Sequence, residues 1–476
     1  MIHIPILRAG RPYKSLEVVR LSHINTGEPL AIVSQANCGL IAKDLCELQE
    51  DRCFLNDFSV SDLLAICKKA ARLFVGSELP LDGEVQSPSD YVCQLSATTG
   101  MPQSLCWKNM NKIQLVLDEM EAVLGGLTRE LDLSLLDTGW VIQDGRLLNY
   151  VSQTKQLGAV LPSNSPGVHS LWLPAIPLKT PLVLKPGSQE PWTPFRIIQA
   201  FLEAGCPQEM FGFYPTDYSG VSEMLARCRR SLLFGSGATV ASWVGDPRVQ
   251  IHGPGRSKIV IAADRISEWE TYLDVIVTSA VDNGGRSCIN ASSVWVPACG
   301  WEIAVALAKR LACIDAKPLD HPNAEIAAFT DAKRAHQIST LIDNQLKIPG
   351  AADLTAELRG TKRVVEADGC TFVLPTVIWC EDAGHPLANT ELLFPFVSVV
   401  EIPQCETLQR MGPSLVVTAI TEDKEYIREL LCAVDVECLN LGPIPTNQIS
   451  WEQPHEGNLF EFLYRKRALA IMGETT

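Results

Sequence analysis

The chain has 476 residues, enough at roughly 150 residues per domain for two large units and an appendage. Hydrophobic residues make up 46% and charged residues 20%, an ordinary globular composition that excludes disordered, collagen-like and coiled-coil classes. Lys and Arg number 40 against 55 Asp and Glu, and the net charge of −15 repels phosphate backbones and argues against a nucleic-acid partner.

The most apolar stretch, Leu171 to Leu184, holds three prolines and Lys179, so no membrane span is expected. The opening MIHIPILRAGRPYKS lacks the charged-then-apolar layout of a secretory leader. Sixteen cysteines are scattered without a C-x-x-C pair, which reads as reduced, mostly buried thiols in a cytoplasmic protein. Eight histidines form no H-E-x-x-H, and no metal site is expected.

After a short opening of strands, apolar residues recur at helical spacing over Ser61–Phe74 and Ile113–Leu127, so the first 135 residues read as mainly helical. Gly139–Ser152 reads as two short strands turning at Asp144-Gly145, a protruding hairpin. Leu182–Lys185 predicts a buried strand, followed by a helix from about Thr193 to Ala204 that stops at Gly205 and Pro207. A second strand-turn-helix unit follows at Ser231–Phe234, Gly235-Ser-Gly237 and Ala238, and a third strand is expected at Lys258–Ala262. Strands alternating with helices predict an α/β fold with a mostly parallel sheet covered on both faces. The Gly235-x-Gly237 turn lacks the third glycine of the dinucleotide fingerprint and by itself indicates only a turn.

Asn283-Gly-Gly-Arg-Ser-Cys288 lies between an amphipathic stretch, Trp269–Val281, and an apolar run, Ser293–Val296. A cysteine on such a glycine-relieved loop can present its sulfur to a cleft, and Arg286 is expected to favour the nucleophilic thiolate. The segment resembles the N-x-G-Q-x-C nucleophile loop of the aldehyde dehydrogenase superfamily. Four further segments are similar to that family's motifs in the right order. Pro162-Ser-Asn164-Ser-Pro166 stands 21 residues before Lys185, where the family has P-W-N-F-P. Leu184-Lys-Pro186 with its helix ending in Glu203-Ala-Gly205 resembles the cofactor-binding lysine strand, Phe234-Gly-Ser-Gly237 the phosphate-side turn, and Glu391-Leu-Leu-Phe-Pro395 the E-x-F-G-P segment.

The resemblance implies an aldehyde-dehydrogenase-like α/β fold. It implies a Rossmann-like NAD(P)-binding domain from residues 1–138 and 156–262, a catalytic domain from 263–440, and a β-hairpin oligomerisation arm from 139–155 and 441–476. The Arg467–Ile471 segment reads as a closing edge strand, and a homodimer or homotetramer is expected. By the same resemblance Cys288 is the nucleophile and the Asn164 amide pairs with the Cys288 N–H as oxyanion donors. Lys185 holds adenosine-ribose hydroxyls, Glu391 the nicotinamide ribose, and Ser236 and Gly237 lie near the pyrophosphate. Ser188 stands where NAD-preferring members often carry a glutamate, which leaves NAD and NADP both open.

The family glutamate that activates the deacylating water is missing. The matching stretch is Ile251-His-Gly-Pro-Gly-Arg256, with His252 nearest that position, 36 residues before the cysteine. His252 is either a base working near neutral pH or a structural histidine beside a Gly-Pro-Gly turn. Loss of the glutamate leans toward coenzyme A, as co-substrate, resolving the thioester in preference to water, with acyl-CoA reduction as the reverse reaction. Two alternatives stand beside this reading: a Cys-dependent acyltransferase or hydrolase without nicotinamide, and a catalytically inactive member kept for binding or assembly. His455 and Glu456 on the polar loop Pro454–Phe460 are either substrate contacts or loop residues with no role, and Trp172, Trp192 and Trp295 are substrate walls or core.

Overall fold

The computed structural model describes residues 1–47 and 53–472; the last four residues of the expected C-terminal arm, 473–476, lie outside the described residues. Two seven-stranded sheets organise the chain. In the first, the strands Val249–His252, Arg230–Phe234, Leu157–Val160, Leu182–Lys185 and Phe211–Phe213 run parallel in that order, and Ile6–Arg8 and Arg11–Tyr13 close one edge antiparallel. Chain order reverses between Leu157–Val160 and Arg230–Phe234, which opens a crevice beyond the carboxyl ends of those strands.

Local chemistry explains the helices that cover this sheet. Val60–Gly76 and Pro88–Thr99 each begin with a reciprocal capping box, Ser59 with Asp62 and Ser87 with Asp90. The 113–127 periodicity belongs to two helices, Gln103–Asp118 and Met120–Thr128, broken at Glu119. Together with Trp192–Ala204 they bury Leu63, Phe74, Leu95, Ile113 and Phe201 against Leu157, Leu184 and Phe213 of the sheet. A smaller apolar layer around Ile41, Leu45, Met224 and Leu233 covers the opposite face. The three tryptophans are core: all are almost fully buried, and their indole N–H groups donate to His169, Thr98 and Ser293.

The second sheet runs Ala351–Asp353, Thr376–Cys380, Phe396–Glu401, Ala291–Val296, Ser257–Ile261, Ser414–Ile420 and Val436–Leu441, parallel except at its first strand. The strand expected at Lys258–Ala262 is therefore present but belongs to this sheet, and the boundary expected at residue 262 falls one strand late. Its partners, Ala291–Val296 and Ser414–Ile420, lie far along the chain and leave no local mark.

The hairpin forms as expected, Val141–Gln143 against Arg146–Leu148, with Asp144 and Gly145 at φ of 52° and 69°. The C-terminal strand is displaced from its expected position. It is Tyr464–Lys466, antiparallel to Tyr150–Ser152, and the ladder ends where the Arg467 N–H meets the Asn149 carbonyl. Residues 467–471 have no neighbouring strand among the described residues and are irregular. No described helix is long and apolar enough to cross a membrane.

One buried cation ties the helical layer together. Arg196 is fully buried and donates to the carbonyls of Phe74, Ser77 and Gln86 and to the Gln86 side chain at 2.7–3.2 Å. Burial draws its pKa down to about 10. Replacing it by methionine removes four hydrogen bonds, three of them buried, so Arg196→Met should lower the unfolding free energy by about 3 kcal/mol, read from urea denaturation.

Candidate functional site

Gly255 and Cys288 meet without side chains between them. A Cβ built on Gly255 falls 2.0 Å from the Cys288 carbonyl oxygen, so only glycine permits this approach. The same carbonyl accepts from the Ser257 hydroxyl at 2.9 Å. The Cys288 loop is held from the other side by asparagines. Asn283, at φ 55°, donates to Ser165 and Ser287 and accepts from Asn109 at 2.6 Å, while Asn290 accepts the Ser287 N–H at 2.8 Å. Asn109 in turn accepts the Gly167 N–H, which ties the loop to the Pro162–Pro166 turn.

Cys288 opens into a cavity of about 450 Å³ whose lining includes Asn164, Ser236, His252, Arg286 and Glu391. The cavity lies at the carboxyl edge of the first sheet and the amino edge of the second. Leu157–Val160 leads into Asn164, Arg230–Phe234 into Ser236, and Val249–His252 ends at His252 itself. Cys288 precedes Ala291–Val296, and Glu391 precedes Phe396–Glu401. The fold thus gathers Cys288, Asn164, His252, Ser236 and Glu391 into one site. Lys185 and Ser188 stand outside this lining, at the end of the Leu182–Lys185 strand and on the exposed turn after it; Gly237 is exposed, at the start of a one-turn helix.

The Asn164 amide donates one hydrogen to the Arg286 carbonyl at 2.7 Å, which leaves its second N–H for a ligand. Arg286 does not act as the sequence suggested. Its buried guanidinium donates to the carbonyls of Thr99 (2.7 Å) and Ala328, and burial draws its pKa down to about 10. The Cys288 thiol is instead pushed well above its ordinary range, first by burial and then by the carboxylates of Glu456 and Glu391. The N–H groups of Cys288 and Ile289 offset part of this. In this resting state the sulfur carries its proton.

Glu391 accepts the Arg256 N–H, and burial raises its carboxyl to about 7. Lys258 lies fully buried on the strand after Gly255 and donates to the Arg256 carbonyl (2.7 Å) and Ser414 (2.9 Å). Burial and the neighbouring Arg256 draw its pKa down to about 7. His252 stacks on Phe234 with ring centroids 4.2 Å apart, and its Nδ1 meets the Glu456 carboxylate. The 251–256 stretch, which has no carboxylate of its own, is met at His252 by one from the C-terminal loop.

Residues that can hold a nucleotide are present in the crevice. The Lys185 ammonium, desolvated and drawn below its ordinary pKa, makes no hydrogen bond or ion pair among the described residues. It stands at the carboxyl end of a parallel strand beside the switch point, where α/β sheets bind nucleotides. Among the described residues no group of three or more His, Cys, Asp or Glu could hold a metal ion.

Sequence reasoning missed Asn109, Asn290, Gly255 and Lys258. A polar residue at the buried position 109 of an amphipathic helix was the one legible signal among them, since the others depend on pairing between distant segments.

Comparison with known proteins gives the family and the fold. The chain belongs to the aldehyde dehydrogenase family, whose match covers residues 155–412. A curated D-glyceraldehyde dehydrogenase (NADP(+)) from Thermoplasma acidophilum is 24% identical over 248 residues, 49% of this chain and 48% of that protein. The matched stretch thus spans about half the length of that relative. Among solved structures, the aldehyde dehydrogenase KauB from Pseudomonas aeruginosa superposes with a TM-score of 0.78 at 16% identity, covering 98% of this chain and 96% of its own. Aldehyde dehydrogenase 21 from Physcomitrella patens, in complex with succinate, gives 0.78 at 15% identity over 100% and 99%. An NAD+ complex of aldehyde dehydrogenase from Bacillus cereus gives 0.76 at 15% over 98% and 96%. At these identities the likeness shows the fold, which is that of the aldehyde dehydrogenases.

The buried Lys258 makes stability depend on pH. Its pKa is near 7 folded against the ordinary 10.5, so between those values the unfolded chain binds more protons and folding gains as pH rises. Lys258→Met removes this contribution. Relative to wild type, the variant should lose stability with increasing pH from about 7 to about 10, at up to roughly 1.4 kcal/mol per pH unit, measured by denaturant unfolding at stepped pH.

Proposed function

We propose that this chain is an NAD(P)-dependent oxidoreductase acting on aldehydes through Cys288, with the acyl group passed to coenzyme A in preference to water. The observation that carries the reading is the convergence of Cys288, Asn164, His252 and Glu391 on one cavity from four separate segments. Nothing in a binding scaffold requires a nucleophile and an oxyanion donor in one cavity, and the unpartnered Lys185 argues against a nicotinamide-free hydrolase.

The Cys288 sulfur adds to the aldehyde carbon, and the carbonyl π pair moves to oxygen. The free Asn164 N–H and the Cys288 backbone N–H are the donors for that oxyanion. When bound, a nicotinamide supplies the acceptor for the hydride, and the acyl group is left as a thioester on Cys288. On the family resemblance, we assign Lys185 and Glu391 to the two riboses. Ser188 sets no carboxylate against a 2′-phosphate, and we carry NAD and NADP together as cofactors. The absence of a carboxylate within 251–256 supports coenzyme A as acceptor. Hydrolysis is the second reading, and one observation favours it: His252 bears a carboxylate partner after all.

The hairpin, with Ile142 half exposed at 52%, and the edge strand Val436–Leu441 offer surfaces for a second copy, so the assembly we propose is a homodimer or homotetramer. Light scattering at micromolar protein should return a mass of two or four chains. The fifteen cysteines whose side chains are described are free thiols, in keeping with the cytoplasmic setting we propose.

The decisive assay is NAD(P)H formation from a panel of aldehydes, with and without coenzyme A. Turnover that requires coenzyme A supports the first reading, and equal turnover without it supports hydrolysis. Cys288→Ser should abolish turnover while nucleotide affinity stays within about twofold, and retained turnover would exclude the mechanism.

A further inference from the structure

His252 and Glu456 are 204 residues apart in sequence and in direct contact. An ionised carboxylate only accepts, so Nδ1 donates to it, and in the neutral ring Nε2 then keeps its lone pair. Nε2 is buried and has no hydrogen-bond partner among the described residues. The ring is fixed on both counts that matter: Phe234 stacks on its face, 13° from parallel, and Glu456 holds its edge.

The loop that delivers Glu456 is itself held in place. Glu456 has φ 51°, a left-handed conformation a glutamate rarely adopts, and Gly457 follows at φ 98°. A Cβ on Gly457 would lie 2.8 Å from the Gln250 side chain, and that side chain donates to the Glu456 carbonyl. The strand carrying His252 thus clamps the backbone of its own partner. Backbone held so far from its preference by its surroundings is concentrated at functional sites.

We propose that His252 is the base that removes the Cys288 proton, and that Glu456 is its positioning residue, the three forming a Cys-His-Glu unit from three separate segments. The proposal rests on the reading of Cys288 as the nucleophile. It adds an earlier step to that reading, because His252 acts before any aldehyde is bound. Cys288 and His252 line the same cavity, and the resting sulfur is a thiol that needs a base. In the step, the S–H bond breaks and its electron pair stays on sulfur. The proton goes to Nε2, and the imidazolium formed keeps its Nδ1–H on Glu456. No electrons leave the pair of groups, and no oxidant or co-reactant is required.

The test is alkylation by iodoacetamide of the full-length protein without nucleotide or aldehyde, followed residue by residue by mass spectrometry at one pH near neutrality. The new S–C bond expels iodide, so the rate reports the sulfur alone. His252→Gln should slow labelling of Cys288 by at least about tenfold, and Glu456→Gln, which keeps size but not charge, by about threefold or more. Imidazole added to His252→Gly should restore part of the rate. Cys67 and Cys106, fully buried, report folding in the same samples: they stay unlabelled unless the variant unfolds. If His252→Gln labels them, the loop variant Glu456→Gln decides. Wild-type labelling of Cys288 in a folded Glu456→Gln overturns the proposal. Aldehyde turnover separates the two readings. A His252-dependent thiol in a protein that oxidises no aldehyde sinks the aldehyde reading alone, while oxidation with labelling unaffected by either variant sinks the dyad alone.

Discussion

The site depends on the contact between Gly255 and the Cys288 carbonyl, where two backbones meet at a distance that no side chain tolerates. Gly255 lies between the last strand of the first sheet and the first strand of the second, so the closeness of the two sheets at that point sets where the sulfur stands. The Ser257 hydroxyl and the asparagine network around Asn283 then remove the remaining freedom of the loop. Buried polar networks of this kind rigidify when every member is satisfied, and here the satisfied members flank the Cys288 sulfur.

The electrostatics around the Cys288 sulfur favour its protonated form. Two carboxylates, Glu391 and Glu456, surround it and raise its affinity for a proton, while the nearest arginine in sequence spends its donors on main-chain carbonyls. Lys258 and Arg256 balance Glu391 on the far side of the glycine turn. The surroundings therefore stabilise a neutral resting sulfur, a form that is less reactive but also less prone to adventitious oxidation.

Much of the fold was legible in the sequence because it is punctuated locally. Leu182–Lys185 is an apolar run bounded by Pro181 and Pro186, and it was read to the residue. The hairpin followed from Asp144-Gly145, and the helix after Lys185 from its Gly205 stop. What stayed illegible was long-range. Ser257–Ile261 reads as a strand, but its sheet is chosen by partners at 291–296 and 414–420. Arg286 sits two residues from the cysteine, yet spacing along a loop does not set where a guanidinium points. Glu456 was visible only as part of a polar loop, because its partner is 204 residues away and no periodicity links them.

His252 closes one sheet and Ser257 opens the other, with four residues between them. That short span is a covalent gauge: imidazole and nucleophile clamp hang from its two ends, and its length is the same whatever the loops across the cavity do. Leu393, Phe329 and Thr330, which also line the cavity, are carried by segments with no part in the gauge. A lineage built on this chain is free to reshape that wall, and with it the molecules it admits, without resetting the distance on which proton transfer depends.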